Sequence, residues 1–443
     1  MSGIKFSIDT LGCKVNQSES DFIAWELQKK GFELVSRYRN PHFCIVNTCT
    51  VTSQSDRKVR QLVRRIKSEN KGSKLIVTGC FVVLNKDFLK ECGIDFAVKN
   101  KDKDVIPNLI ETEVLKWKED SGKIRFAGSG SGPLSPVMMH SRPVVKVQDG
   151  CEQNCTYCII PKVRGGYRSI SHKVVLEIIK ELEEAGFEEA VLTGINIGKY
   201  DVDTGRKRSG STVKVPGFKG LIEEIIKDSG IRRIRISSIE VDDIDEGLLD
   251  VLKRNETRIA HHLHIPLQSG SDRILELMGR PYDSNYYLEK VKKIRKLFPD
   301  IALTTDVMVG FPGEDNYDFD RSVDLVRKAA FSKVHVFKFS GRKYTPAYEM
   351  PHQVDEKVKS GRSRALREIG DRMRDNYIER NSGRELEVVC EKMGDDGIIK
   401  GTSGNYIRVY FGMDEKKFNK VKGKIVKIRT DSVFKNGLGG KLS

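Results

Sequence analysis

Apolar positions recur along this chain in three different rhythms. In residues 1–125, short apolar runs alternate with helical periods. Residues 4–8 alternate as a strand, residues 18–30 read as a helix that Gly31 stops, and residues 43–46 form a short buried strand. Residues 54–68 place Val59, Leu62, Val63 and Ile66 on one helical face, and residues 75–77 form a third strand. This βαβαβ order predicts a doubly wound parallel α/β sheet with helices on its faces. In residues 142–375 the alternation continues. Strands are expected near 144–147, 190–193, 233–237, 262–267, 302–309 and 333–339, with helices such as 173–185, 218–229 and 284–297 between them. Six βα units predict a partial barrel of parallel strands. A charged helix over 356–380 leads to residues 381–443, where short β-type runs broken by glycine predict a small antiparallel β-barrel. Two stretches lack any period: the Gly/Ser/Pro-rich linker 121–141, and the polar, basic loop 201–217.

Composition narrows the partners. The 443 residues carry 78 Lys+Arg against 62 Asp+Glu, a net charge of +16, which points to a polyanion. With 38% hydrophobic residues there is enough apolar material for several cores. No run reaches the roughly 20 apolar residues of a membrane helix, and the start lacks the pattern of a signal peptide. Nine cysteines, odd in number and thinly spread, fit a reducing cytoplasm rather than a disulfide scaffold.

The cysteines carry the chemistry. Cys151, Cys155 and Cys158 stand at C-x3-C-x2-C spacing, in the loop after the first strand of the barrel region. Thiolates are soft ligands for iron, and three of them leave one iron of a 4Fe-4S cluster open to a small molecule. A zinc site is the alternative, but it wants a fourth nearby ligand, and no His or Cys follows Cys158 until His172. Cys13, Cys49 and Cys80 each follow a strand of the first region by a few residues. A parallel sheet brings the carboxyl ends of its strands to one edge, so these three converge as a second ligand set, or else are three small buried thiols. Cys44, Cys92 and Cys390 read as structural. His262 and His264 share a strand face and His261 points away, an arrangement that suits the barrel interior better than a metal.

These residues sit in motifs that resemble the methylthiotransferases of the radical S-adenosylmethionine (SAM) superfamily. The motifs are TLGCKVNQ, VNTCTVT, VTGC, DGCEQNCTYCIIPKVRGGYRS, LTGINIGKY, RISSIE, HLHIPLQSGSDRILELMGRPY, DVMVGFPGE and FKFSGRKYTPA, and they span essentially the whole chain. The first two look closest to the enzymes acting on threonylcarbamoyladenosine at position 37, beside the anticodon of tRNA. The resemblance implies an N-terminal methylthiotransferase domain (1–125), a central partial (βα)6 radical SAM barrel (142–375) and a C-terminal RNA-binding TRAM barrel (381–443). It implies that Cys151, Cys155 and Cys158 hold the radical-generating 4Fe-4S cluster and that Cys13, Cys49 and Cys80 hold an auxiliary one, which carries or delivers sulfur. One SAM methylates that sulfur. A second yields the radical that takes hydrogen from C2 of the adenine. An electron donor and a sulfur donor are further implied partners, with the tRNA anticodon arm as substrate. The related activities are methylthiolation of isopentenyladenosine in tRNA or of a ribosomal-protein aspartate. A non-catalytic iron–sulfur RNA-binding protein is the reading from another class. One departure stands out: Phe81-Val82-Val83 follows Cys80 where the family usually has an aromatic, a small residue and Gln.

Other residues fall where strands of the barrel should end. Gly194 and Asn196 suit the amino-acid end of SAM, Ser238 and Glu240 its ribose or amine, and Gln268 offers both donor and acceptor. Gly310 and Phe311 can pack against its adenine, and Tyr157, between two cluster ligands, can stack on the cofactor or shield the cluster. Each alone also reads as an ordinary turn or cap residue. Arg57, Arg60, Arg64 and Lys67 recur at helical spacing, either as an RNA-facing surface or as a solvated helix face. The last region holds 13 Lys+Arg against 8 Asp+Glu, with Tyr406, Tyr410, Phe411 and Phe418 interleaved, a composition suited to RNA or to a barrel core.

Overall fold

A computed structural model describes residues 3–121, 140–200 and 217–443, so most of the 121–141 linker and of the 201–217 loop lies outside the described residues. The chain forms two compact units. One comprises Met1–Met139 with Ile159–Gly166, the other His140–Cys158 with Tyr167–Ser443.

The first unit is a parallel sheet of β1 (Lys5–Thr10), β2 (Glu33–Leu34), β3 (Phe43–Thr48), β4 (Lys74–Gly79) and β5 (Phe96–Val98), in the order β2-β1-β3-β4-β5. The pleat sorts its side chains. Phe43 and Ile45 face α1 (Lys14–Lys29) and α5 (Ile106–Ser121), where Ile23, Leu27, Ile106 and Ile110 cover them. Cys44 and Val46 face the other way, toward Val59, Val63 and Ile66 of α2 (Ser53–Glu69). The short α3 (Cys80–Leu84) and α4 (Lys86–Glu91) complete that layer. Strands β2 and β5 are too short to show a period, so the sequence displays three strands where the sheet has five. Helix α1 begins at Lys14, not at 18. The buried side of its first turns carries Asn16 and Ser20, which hydrogen-bond to Asn47 and Thr10, so no apolar stripe announces it. The cations of α2 are partly engaged within the unit. Arg60 donates to Asn85 at 2.6 Å and lies 4.4 Å from the Phe88 ring centroid, and Lys67 donates to the Gly93 carbonyl at 2.7 Å. The short α6 (Ile160–Arg164) also packs in this unit, with Ile159 and Val163 against Cys80 and Val83.

The second unit holds six parallel strands, β6 (Val144–Lys146), β9 (Glu189–Thr193), β10 (Arg233–Ile236), β11 (His262–His264), β12 (Ala302–Val309) and β13 (Lys333–Lys338), counting in chain order past the two-residue pair β7 (Gln148–Asp149) and β8 (Arg168–Ser169). They pair in sequence order, with isolated parallel bridges Ile234 to Ile259 and Ser238 to His264 joining β10 to β11. Among the described residues no ladder joins β6 to β13, so the barrel is open. Helices α7 (His172–Glu184), α8 (Gly217–Asp228), α9 (Glu246–Arg254), α10 (Asp272–Leu277), α11 (Ser284–Leu297) and α12 (Asn316–Ala329) make the returns. The expected strand at 262–267 keeps a regular ladder only to His264. Beyond it the chain kinks at Gln268, whose φ is +67°.

After α13 (Pro346–Glu349), the long α14 (Glu356–Glu379) leads into a closed five-stranded barrel of β14 (Glu385–Met393), β15 (Ile398–Ser403), β16 (Arg408–Gly412), β17 (Ile425–Phe434) and β18 (Gly437–Leu442), with α15 (Glu415–Val421) on it. Four ladders are antiparallel and β16 to β18 is parallel. Phe411 and Phe418 lie in its core, while Tyr410 stays at the surface, edge-on to Phe434. No helix among the described residues is long and apolar enough to cross a membrane.

A buried charge network joins the small barrel to the large one. Arg235, fully buried, donates to Glu189 at 2.8 Å, to the Ser403 carbonyl at 2.9 Å and to the Gly404 carbonyl at 3.1 Å. Arg233 reaches the same carboxylate at 2.5 Å and the Glu387 carbonyl at 3.2 Å. Tyr406 stacks on His262 with ring centroids 4.3 Å apart. Burial pushes the Glu189 carboxyl up, but Arg235 and Arg233 outweigh it and hold the group at about 2. Its stabilising contribution is therefore complete above the ordinary glutamate range and is lost as pH falls from about 4.5 toward 2. Glu189→Gln leaves two buried guanidinium groups short of their counter-ion and should cost about 3–5 kcal/mol. Urea titrations at pH 7 and pH 3 check this: the loss should be large at pH 7 and shrink at pH 3.

Candidate functional site

In the first unit, Cys13, Cys49 and Cys80 follow the carboxyl ends of β1, β3 and β4. The order β2-β1-β3-β4-β5 reverses direction between β1 and β3, which opens a crevice at that edge. Cys13 caps α1, Cys49 follows Thr48, and Cys80 opens α3 after Gly79. Gly79 has φ +105°, and a β-carbon there would lie 2.2 Å from the Thr48 carbonyl oxygen, so only glycine lets the two strand ends close up. The electrostatic neighbours of Cys49 include Cys80 and Cys13, so the three thiols share one locality. Burial pushes Cys49 up to about 11, the other two thiols add to the rise, and Arg164 opposes it. Unassisted, burial disfavours the Cys49 thiolate. A bound cation removes that penalty.

A polar network supports these cysteines. The Cys13 thiol donates to Asn16 Oδ1 at 3.3 Å, and Asn16 Nδ2 donates to Asn47 Oδ1 and to the Thr48 carbonyl, both at 3.0 Å. Arg164, with a side chain wholly out of solvent, donates to the same Asn16 Oδ1 at 2.9 Å and to Glu19 at 3.0 Å. Lys103 pairs with Glu19 and donates to Asn47 at 2.9 Å. Asn100 donates to Cys80 Sγ at 3.3 Å and to the Val163 carbonyl at 3.0 Å. Val83, the apolar residue at the position of the family's usual Gln, packs with Ile159 and Val163, so Asn100 is the amide that reaches this cysteine.

In the second unit, Cys151, Cys155 and Cys158 lie in the loop after β7, where Gly150 turns the chain at φ +73°. The loop is pinned from three sides. Gln148 Nε2 donates to the Asp149 and Gly150 carbonyls, at 2.9 and 2.8 Å, while its Oε1 accepts from Asn196 N at 2.8 Å. Thr156 N donates to the Met278 carbonyl at 3.0 Å, and the Thr156 carbonyl accepts from Ala347 N at 2.9 Å. Arg280 Nη1 donates to Cys155 Sγ at 3.3 Å, and the same guanidinium pairs with Glu240 and meets the Tyr282 hydroxyl at 3.2 Å. Burial pushes the Cys151 thiol up, opposed by the Gln153 amide at 3.4 Å and by the Tyr167 hydroxyl.

Among the described residues, no three His, Cys, Asp or Glu side chains converge as ligands of a single metal ion. A four-iron cluster instead takes its thiolates at separate corners, and both three-cysteine sets offer soft donors of that kind. Cys44 and Cys390 are buried in cores, as structural cysteines should be. His262 and His264 both hydrogen-bond to Thr304, at 3.0 and 2.9 Å, inside the barrel.

The other sequence-predicted residues all fall at the carboxyl edge of the open barrel, but not all in the same condition. Both side-chain amide atoms of Asn196, and Oε1 of Gln268, are buried with no hydrogen-bond partner, as expected of groups that await a polar ligand. Glu240 is held by Arg280, with burial raising its carboxyl from the ordinary value. Gly194 lies against Gln148, which fills the space a side chain would take. Gly310 donates to Glu314 at 2.8 Å and lies beneath Lys359. Ser238 and Phe311 stand in opposite conditions. Ser238 is exposed, and it is Ser237 whose buried hydroxyl lacks a partner. Phe311 is fully buried, edge-on to Tyr157 and Phe339, so its ring belongs to the core beneath the site. Tyr157 is half-buried in that apolar cluster. Arg164 and Arg280 lie within two of the quoted motifs without a role assigned to them, and Asn100 and Gln148 had no signal in the sequence. Only Asn16 had a local signal, one helical turn after Cys13.

Residues 145–326 match the Radical SAM superfamily, and residues 5–98 match the Uncharacterized protein family UPF0004. The threonylcarbamoyladenosine tRNA methylthiotransferase of Thermotoga maritima is 37% identical over 91% of this chain and 90% of its own. That of Bacillus subtilis is 34% identical over 95% and 92%. The tRNA-2-methylthio-N(6)-dimethylallyladenosine synthase of Natranaerobius thermophilus is 31% identical over 90% and 87%. The radical S-adenosylmethionine methyltransferase TsrM of Kitasatospora setae shares the fold, with a TM-score of 0.56 over 79% of this chain and 77% of its own at 15% identity. The class is thus a radical SAM protein. More narrowly, the chain belongs to the tRNA methylthiotransferases of that superfamily.

Arg164→Met should cost about 2–3 kcal/mol, because it removes one of the two cations of buried Glu19 and the donor to Asn16, while Lys103 still pairs with Glu19. Chemical denaturation followed by far-UV circular dichroism measures the loss. Arg280→Gln removes a positive charge beside Cys155, and a redox titration of the reconstituted protein should place a cluster held by Cys155 at a more negative potential than in the wild type.

Proposed function

We propose that this protein inserts a methylthio group at C2 of threonylcarbamoyladenosine 37 in tRNA. The observation that carries the reading is the pair of three-cysteine sets, each at the carboxyl edge of its own parallel sheet, in a chain 37% identical to a threonylcarbamoyladenosine tRNA methylthiotransferase. We assign residues 1–125 to the auxiliary-cluster domain, 142–375 to the radical SAM domain and 381–443 to a TRAM domain that grips RNA.

When bound, a 4Fe-4S cluster on Cys151, Cys155 and Cys158 supplies reductive cleavage of SAM, and one on Cys13, Cys49 and Cys80 supplies a site for the incoming sulfur. The chain's own residues do the rest. Asn196, Gln268 and Ser237 bring unsatisfied buried polar groups to the barrel edge, where they orient the amino-acid and ribose groups of SAM. Arg280 keeps positive charge on Cys155 and fixes Glu240. Tyr157, with Phe311 and Phe339 behind it, forms an apolar wall that keeps water from the cluster loop. The electron donor and the sulfur donor are separate partners, and the reaction belongs in the cytoplasm with its tRNA.

Mass spectrometry of tRNA nucleosides from a deletion strain is the direct test. The methylthio form of threonylcarbamoyladenosine should disappear. Its persistence, with loss of the isopentenyl counterpart instead, reassigns the substrate. Iron analysis after anaerobic reconstitution should give about eight atoms per chain, four for each cluster. Cys155→Ala should abolish 5′-deoxyadenosine formation and product alike. Cys49→Ala should keep measurable 5′-deoxyadenosine formation and lose the methylthio product, and normal product from that variant refutes the auxiliary role.

A further inference from the structure

The segment after β13 lies beside the cluster loop of the second unit. Phe339 N donates to the Val309 carbonyl at 2.9 Å, so the segment leaves the barrel at its carboxyl edge. Thr345 then closes a turn onto the Arg342 carbonyl, through its amide at 3.0 Å and its hydroxyl at 2.7 Å. Ala347 N donates to the Thr156 carbonyl, which places α13 directly on the Cys155–Cys158 stretch. Two tyrosines stand out from this site into solvent, Tyr344 at 51% and Tyr348 at 50% exposure.

Core packing does not explain them. Tyr344 holds φ +77°, a left-handed conformation that a β-carbon disfavours and that glycine takes freely. Such strained conformations cluster at functional sites. Its ring has a cationic neighbour, with Lys343 Nζ 5.3 Å from the centroid. The Tyr348 ring rests on Gly341, where a β-carbon would come within 3.1 Å of it, so its plane is fixed by the backbone beneath. Two exposed aromatic side chains with an exposed lysine next to one of them match an unpaired nucleobase and its phosphate, since stacking on aromatic rings and charge along the backbone are the two terms of single-strand recognition.

We infer that Tyr344 and Tyr348 form a stacking platform for an unpaired base flanking the adenosine to be modified, with Lys343 on the adjoining phosphate. The inference rests on the tRNA reading and adds to it the residues that engage the anticodon loop beside the cluster. A base splayed onto this platform presents its neighbour to the barrel edge. The charge of +16 draws in any RNA, whereas a stacking platform discriminates loops from duplexes.

The test uses the reconstituted full chain and two fluorescent probes, an anticodon stem-loop RNA and a fully paired duplex of the same length. Tyr344→Gly and Tyr348→Ala should each weaken stem-loop binding about tenfold and leave duplex binding unchanged. Tyr344→Phe, which keeps the ring, should bind as the wild type does. The melting temperature of Tyr344→Gly should not fall, because glycine removes the backbone strain as it removes the ring, so a lost affinity cannot be put down to unfolding. Stem-loop affinity within about twofold of wild type in both ring-deleting variants overturns the platform, as does an equal loss for the duplex. A wild-type protein that fails to bind the stem-loop overturns the tRNA reading itself and the platform with it.

Discussion

A parallel strand can pair with the next only after the chain has returned across the sheet, and every return leaves the carboxyl ends of the strands on one edge. This constraint organises both units. It collects Cys13, Cys49 and Cys80 from three separate βα steps, and it sets Asn196, Ser237, Gln268 and Gly310 around the loop that carries Cys151, Cys155 and Cys158. Nothing else about the fold needs to specify these meetings. Side chains far apart in sequence come together because they occupy the same step of a repeated local pattern. The reversal of strand order between β1 and β3 adds the crevice that the first set occupies.

The second organising element is buried charge, arranged so that no ion is left alone. Glu189 neutralises Arg233 and Arg235, whose remaining donors are taken by carbonyl groups of the small barrel. Burying one of these ions alone would be costly, so the pairing requires the two barrels of the second unit to stay together. Glu19 plays the same part in the first unit, between Lys103 and Arg164. The segment Ile159–Gly166, immediately after Cys158, is thereby built into the first unit and ends beside the partner of Cys13. Reactive cysteines placed on such a scaffold have rigid surroundings, which cluster chemistry demands.

Charge at the surface is a different matter. The net +16 is spread over many exposed lysines and arginines, but several of the most regular cations are already occupied. Arg60 and Arg64 cover the Phe88 ring, and Lys67 binds a carbonyl. Helical spacing of arginines therefore did not by itself define an RNA surface here. The aromatics of the last region divide similarly. Phe411 and Phe418 fill the core, Tyr406 joins the two barrels, and Tyr410 remains at the surface.

The sequence by itself determined the class of fold, the two cysteine sets and the family, because each of these is written in local pattern: periods of two and 3.6, turn residues, and ligand spacing within one loop. It also placed most of the barrel-edge residues, since a strand and the turn that follows it are contiguous in the chain. Tertiary structure decided what contiguity cannot encode. Helix α1 began earlier than its apolar stripe because its first buried face is polar and matched by Asn47 on another strand. Ser237 rather than Ser238 turned inward, and Phe311 sank into the core, because a chain leaving a strand end can present either side. Arg280 and Asn100 reach cysteines far from them in sequence, and Arg164 reaches the Asn16 that Cys13 bonds, as a side chain bridging two elements leaves no periodic trace in either.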